Sequence, residues 1–216
     1  MSRVRVKICG ITSQRDLLIA VEAGADAVGF VVGAPQSPRN LPINKAKKLM
    51  RNTPVFVKTV AVTVLKNLSH LEEIYRELNP DVVQVHSAIP MRKEIRERLP
   101  DTCLIGAIQM RSGLKVDVAV EAADKFDAVL LDTHTPSGYG GTGKIHDWEL
   151  SRRIRDALYP KPLILAGGLR PENVKEAIRA VKPYAVDVSS GVESRPGVKD
   201  REKVFEFVKN AKEVDV

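Results

Sequence analysis

Two side chains stand where proton-transfer chemistry would place them. An apolar run over residues 128–131 ends in a carboxylate, Asp132, and a Gly-rich stretch, SGYGGTG, follows before Asp147 and Trp148. A carboxyl at the end of a strand, beneath a loop able to close over it, suits a general acid; the alternative is an Asp that only caps a turn. Near the N-terminus the segment VRVKICG carries Cys9. Successive side chains in a strand alternate between faces, which sets Lys7 and Cys9 on one side and Val6 and Ile8 on the other. A thiolate is a base or a nucleophile, and a nearby ammonium lowers its pKa; the alternative is a small buried hydrophobe, the common state of a free Cys. An inward Lys7 needs a counter-charge, and Asp187 is its expected partner.

A second set of residues suits anion binding. Arg39 lies on a loop stiffened by Pro35 and Pro38, a forked donor fitted to a carboxylate or a solvated loop arginine. Gly167 and Gly168 precede Pro171, and Ser189, Ser190 and Gly191 form a second small-residue loop. Such loops let backbone N–H groups approach an anion near a helix N-terminus; tight turns alone are the other reading. Glu193 is expected to anchor its loop, because its charge repels phosphate. Gln84 and His86 share a face, and His86 either orients a ligand or satisfies the rim. The four histidines, His70, His86, His134 and His146, show no metal-ligand spacing, so no metal site is expected. Cys103 opens a strand away from the reactive rim and is expected in the core.

These residues need a frame. Short β-branched segments at 4–8, 27–32, 55–62, 82–85, 103–108, 128–131, 163–166 and 185–188 alternate with amphipathic ones. The helical patterns fall at 13–23, 44–51, 67–78, 92–99, 116–125, 148–158, 171–181 and 201–212. Alternation of this kind implies parallel strands joined by crossover helices. Eight units predict an α/β fold of one domain over 1–216, a (β/α)8 TIM barrel trimmed below the usual ~250 residues. An open doubly wound sheet is the rival, but no G-x-G-x-x-G follows the first strand. Ser13 and Asp147 are placed to cap helices, Gly24 to end one, and Pro171 to open one. In such a barrel the strand C-termini carry the site, and the loops after strands 7 and 8 take phosphate. Asp132, Cys9, Arg39 and both small-residue loops fall at that end.

Composition narrows the partners. The net charge of +7 favours anionic ligands, whereas an aromatic content of 5% argues against single-strand nucleic-acid binding. Two cysteines give no disulfide framework. The opening MSRVRVKICG lacks a secretion signal's apolar core, and no run reaches membrane-spanning length, so the cytoplasm is the expected compartment.

The motifs in combination resemble one family. They are VKICGIT at 6–12, GADAVGFV at 24–31, SPR at 37–39, VQVH at 83–86, LLDT at 130–133, GGTGKIHDW at 140–148, AGGLRPENV at 166–174 and VDVSSGVESRPGVKD at 186–200. Over nearly its whole length the chain resembles the phosphoribosylanthranilate isomerases of tryptophan biosynthesis. The resemblance implies the same barrel and an Amadori rearrangement of N-(5'-phosphoribosyl)anthranilate to 1-(2-carboxyphenylamino)-1-deoxyribulose 5-phosphate. It implies Asp132 as general acid at the ribose ring oxygen and Cys9 as general base at C2'. Arg39 would hold the anthranilate carboxylate, the N–H groups of Gly168, Ser190 and Gly191 the phosphate, and His86 would play a supporting part. No cofactor or metal is implied, and the partner is the phosphorylated aminosugar itself. Neither nucleic acid nor membrane is expected, and the chain would be a monomer or a homodimer. The pattern departs from the family at Val32-Gly33, Ser87 and His146.

Two other readings compete. A relative of indoleglycerol-phosphate synthase would want a lysine acid at a strand end, and strand 3 ends without one. A non-catalytic phosphate-binding barrel would keep the small-residue loops but has no reason to hold both Cys9 and Asp132.

Overall fold

The computed structural model of the chain describes residues 3–86, 92–111, 113–133 and 147–215. Among these, eight parallel strands form the barrel: β1 (Arg5–Cys9), β2 (Ala27–Val32), β3 (Lys58–Val64), β4 (Val82–His86), β5 (Cys103–Met110), β6 (Ala128–Thr133), β7 (Leu163–Leu165) and β8 (Ala185–Val188). β1 pairs with β2 on one side and β8 on the other, which closes the sheet. The helices are α1 (Gln14–Glu22), α2 (Ile43–Arg51), α3 (Leu68–Leu78), α4 (Arg92–Arg98), α5 (Val116–Ala122), α6 (Trp148–Leu158), α7 (Val174–Val181) and α8 (Arg201–Lys212).

Period-two alternation sorts each strand into two layers. In β6, Val129 and Leu131 join the large cluster between sheet and helices, while Leu130 packs inside with Ile105, Ala107, Ile164 and Ala166. Asp132 follows Leu130 on the inner face. In β1, Val6 and Ile8 pack outward and Cys9 packs inward against Val31, Val60 and Val62. Burying both faces of a parallel sheet explains why the strands read as nearly continuous apolar runs.

The caps follow their sequence signals. Ser13 Oγ accepts the Asp16 N–H at 3.1 Å, and Asp147 accepts the N–H groups of Glu149 and Leu150 at 2.9 and 3.1 Å. Each such cap is worth about 1 kcal/mol. Gly24 follows α1 with φ +88°.

Four local expectations are corrected. β3 begins at Lys58 rather than 55; the 54–57 turn leaves Val55 and Phe56 89% and 95% exposed. α5 closes at Ala122 rather than 125, because the N–H of Ala123 turns onto the Ala119 and Val120 carbonyls and a turn follows. α7 begins at Val174 rather than 171, because Asn173 folds back to accept the Arg170 N–H at 2.9 Å and makes 171–173 a turn. Cys103 is exposed rather than core: as the first residue of β5 it lies at the rim, where no layer covers it.

Two short pieces of sheet escaped the sequence reading. Asn40–Leu41 pairs with β2 directly after Arg39. An antiparallel hairpin, Glu193–Arg195 with Val198–Lys199, follows β8 and a 3-10 turn at Ser190–Val192. Its Gly197 carbonyl accepts a 2.6 Å bond from Thr12 Oγ1, which ties it to the loop after β1.

Candidate active site

Cys9, Arg39, His86, Asp132, Gly168, Ser190 and Gly191 all line one cavity at the C-terminal ends of the strands. Residues 134–146, with their Gly-rich stretch, His134 and His146, and Ser87 lie outside the described residues.

The cavity floor holds an ion pair. Lys7 and Asp187 face each other in the β1–β8 register, and Lys7 Nζ donates to Asp187 Oδ1 at 2.8 Å. Both side chains are nearly fully buried, at 5% and 9% exposure. Burial alone would lower the Lys7 pKa, but the charge of Asp187 and its hydrogen bond carry it above the ordinary value.

This pair acts on both reactive groups. Burial pushes Asp132 up to about 6, and the Asp187 charge adds to that; a 2.8 Å bond from its neighbour's N–H, at Thr133, and the Lys7 charge pull the other way. Asp132 therefore keeps its proton in about a tenth of molecules at pH 7, far more than an ordinary carboxyl would. Cys9 departs from expectation. The Lys7 ammonium lowers its pKa as anticipated, but burial outweighs that pull and Asp187 opposes it, so the thiol stands above its ordinary value. Without ligand, Cys9 holds its proton, and Asp132 holds one in a minority of molecules at pH 7.

Gln84 and His86 meet through Nε2 atoms at 3.0 Å on the inner face of β4. Burial and the Lys7 charge lower His86 to about 4, so its ring is neutral at pH 7. A neutral ring accepting the Gln84 amide proton at Nε2 carries its own proton on Nδ1. Gln84 Oε1, Thr63 Oγ1 and Ser189 Oγ are buried without a hydrogen-bond partner among the described residues.

The small-residue loops need their glycines. Gly167 and Gly168 have φ of +80° and +68°, and a Cβ on Gly167 would strike Thr133. A Cβ on Gly191 would strike the Leu169 carbonyl, so the loops after β7 and β8 approach at backbone distance. Asn173, which the sequence reading quoted but gave no role, fastens this turn: its amide donates to the Gly168 carbonyl at 3.0 Å. Its place three residues past Arg170, ahead of an apolar helical run, was the available signal.

Arg39 is buried, at 8% exposure. Its Nε and Nη2 donate to Glu193 Oε1 and Oε2 at 2.8 and 2.6 Å, a bidentate pair. Glu193 thus anchors, as expected, but the group it holds is Arg39. Lys199, with a fully buried side chain, donates to the same carboxylate at 2.9 Å.

Comparison with known proteins places this geometry. The family model described as N-(5'-phosphoribosyl)anthranilate (PRA) isomerase matches residues 6–210. An N-(5'-phosphoribosyl)anthranilate isomerase of Haloferax volcanii is 42% identical over 209 residues, which cover 96% of this chain and 93% of that one. The crystal structure of phosphoribosyl anthranilate isomerase from Thermotoga maritima is similar with a TM-score of 0.86 and 41% identity, covering 98% of this chain and 100% of that one. A further such isomerase, in complex with reduced 1-(o-carboxyphenylamino)-1-deoxyribulose 5-phosphate, has a TM-score of 0.82 and 38% identity with coverage of 98% and 100%. With the family matched from β1 through α8, the chain belongs to the N-(5'-phosphoribosyl)anthranilate isomerases and is an isomerase of tryptophan biosynthesis.

Proposed function

We propose that Asp132 is the general acid and Cys9 the general base of the Amadori rearrangement. The observation that carries this is that a carboxyl raised to about 6 and a buried thiol, borne on separate strands, line one cavity. Asp132 protonates the ribose ring oxygen, the C1'–O bond breaks, and the amine nitrogen becomes an iminium. Cys9 takes the C2' proton, and the C2'–H electrons form the C1'=C2' bond as the iminium nitrogen is neutralised. The resulting enolamine tautomerises to the C2' ketone, with C1' gaining a proton. No external electron acceptor is needed, because the aminosugar nitrogen is the sink. Burial opposes thiolate formation in the free protein; the iminium charge favours it at the step where a base is required.

Backbone N–H groups of Gly168, Ser190 and Gly191 hold the phosphate. Arg39 presents its remaining edge, Nη1, to the anthranilate carboxylate while Glu193 grips the other. Neutral His86, oriented by Gln84, supports the ribose. Two charged handles fix the reacting carbons, and orientation of this kind supplies on the order of 7–11 kcal/mol at best. The reaction takes place in the cytoplasm; no helix among the described residues is long and apolar enough to cross a membrane. The adjacent exposed Val55 and Phe56 offer a homodimer a contact, and light scattering at micromolar concentration distinguishes it from a monomer.

The experiment mixes purified protein with N-(5'-phosphoribosyl)anthranilate and follows the loss of substrate fluorescence, with the product identified by its C2' ketone. Turnover to the ketose is expected. Fluorescence loss at the uncatalysed rate would end this reading.

A further inference from the structure

The hairpin after β8 is tied to the small-residue loop and to the Arg39 clamp by one buried ammonium. Lys199 Nζ donates to the Ser189 carbonyl at 3.1 Å and to Glu193 Oε1 at 2.9 Å. Ser189 directly precedes Ser190 and Gly191, which line the cavity. Glu193 is the carboxylate that clamps Arg39. Among the described residues it is the only carboxylate bonded to either cationic head, so two cations share one anion.

The backbone leaves little slack around this bridge. Lys199 N–H donates to Asp16 Oδ1 at 3.2 Å, and Asp16 is itself 1% exposed within α1. At Gly10, where β1 ends, a Cβ would come within 2.7 Å of Arg39 Cδ and 2.9 Å of Ser189 Oγ. The Arg39 stem and the start of the phosphate loop thus meet over one glycine, and Lys199 ties the far sides of both. Neither Lys199 nor Glu193 lines the cavity, so each acts through another group.

We propose that Lys199 is a positioning residue that sets the separation between the phosphate loop and Arg39, so that a ligand with an anion at each end is held at one length. This rests on the assignment of Arg39 and the small-residue loops to the two anions of the substrate. The expected consequence is selective. A ligand that spans both handles senses the Lys199 bridge, and a ligand that fills only one does not.

The test uses the full chain with Lys199→Met and Lys199→Gln; the second keeps a donor for the Ser189 carbonyl should the first fail to fold. Calorimetry measures binding of inorganic phosphate and of the reduced two-anion analogue, 1-(o-carboxyphenylamino)-1-deoxyribulose 5-phosphate in reduced form. Steady-state kinetics gives KM and kcat separately. In the folded variant, the analogue is expected to weaken by about tenfold or more and KM to rise by a similar factor. Phosphate affinity and kcat should stay within about threefold, because a lost spacer acts on uniform binding of both ends. Equal weakening of phosphate and analogue would reduce Lys199 to a prop for one loop and overturn the proposal, as would an analogue bound as tightly as by the parent. Parent protein that binds the analogue no better than phosphate would overturn the two-handle assignment and this inference with it, whatever the variants do.

Discussion

Strand β6 has an aspartate at each end, and the two live in opposite worlds. Asp127, just before the strand, accepts the Leu104 N–H at 2.7 Å and the Arg96 guanidinium at 2.7 Å, with its side chain 54% exposed. Asp132, five residues on, accepts one 2.8 Å bond from the adjacent Thr133 N–H and sits over the buried Lys7–Asp187 pair. The barrel floor repeats the first arrangement. Asp26 accepts the Val6 N–H and Asp81 the Thr59 N–H, each at 2.8 Å, and each has a lysine beside it. On the floor, solvent exposure, a backbone donor and a cation serve each carboxylate. At the mouth, burial and a neighbouring anion hold the carboxyl up at about 6, which leaves it a proton to give. Residue type does not separate the ends; burial does.

The largest expected effect breaks the symmetry of that strand directly. Asp132→Asn should lower kcat/KM by a factor of about 10^3 or more, and Cys9→Ala by a similar factor, in the range proton-transfer groups contribute. Asp127→Asn should stay within about twofold of the parent. The fluorescence assay measures all three, and near-full activity in Asp132→Asn or Cys9→Ala removes that residue's role.

Much of this contrast was legible in the sequence, and the reason is periodicity. Alternation set Lys7 with Cys9 and Gln84 with His86 on shared faces, Asp132 stood out as the acid that ends an apolar run, and the count of β-then-α units set which end Cys9, His86 and Asp132 share. The Lys7–Asp187 pair followed from a buried ammonium's need for a partner. Three things were not legible. The Glu193–Lys199 hairpin has no alternating apolar pattern, because it is stitched by side-chain charges and short turns. The clamp of Glu193 on Arg39 joins residues 154 apart, a pairing no local signal encodes. The sign of the Cys9 shift was misjudged because Lys7 was weighed without the burial that opposes it.

The second effect sharpens the role of the floor pair beneath Cys9. Asp187 raises the pKa of both Cys9 and Asp132, so Asp187→Asn should lower both. Thiolate fraction below the pKa rises about tenfold for each unit lost. Measured in a Cys103→Ser background, since Cys103 is exposed, the alkylation rate of Cys9 at pH 7 should climb. An unchanged or slower rate would show that Asp187 does not govern the thiol.

A third effect concerns stability, and its sign runs against intuition. The folded value for Asp132, about 6, lies above the ordinary 3.8, so the folded state binds more protons between those limits. Stability is therefore lost as pH rises from about 4 to 6, and the full penalty persists above that. The difference corresponds to at most about 3 kcal/mol. Asp132→Asn removes the penalty, so in urea it should be more stable than the parent at pH 8 and gain little at pH 4. A variant destabilised at pH 8 would mean that Asp132 is satisfied in the folded state by donors beyond Thr133.

The smallest effect belongs to the floor and runs the other way. Asp127→Ala deletes an acceptor for the Leu104 N–H and strands Arg96, whose guanidinium also reaches the carbonyls of Lys125, Leu99, Pro100 and Thr102. Those remaining bonds keep Arg96 in place, so the loss is confined to the Leu104 donor and one partly exposed ion pair. A donor left unpaired at a water-accessible rim costs about 1–2 kcal/mol. Urea unfolding at pH 8 should show that loss while kcat/KM stays unchanged. Because Asp132→Asn is expected to gain stability and lose activity, the two substitutions should move stability in opposite directions, while only Asp132→Asn changes turnover. If Asp127→Ala also impaired turnover, the floor would be transmitting strain to the mouth along β6, and the division between the ends would not hold.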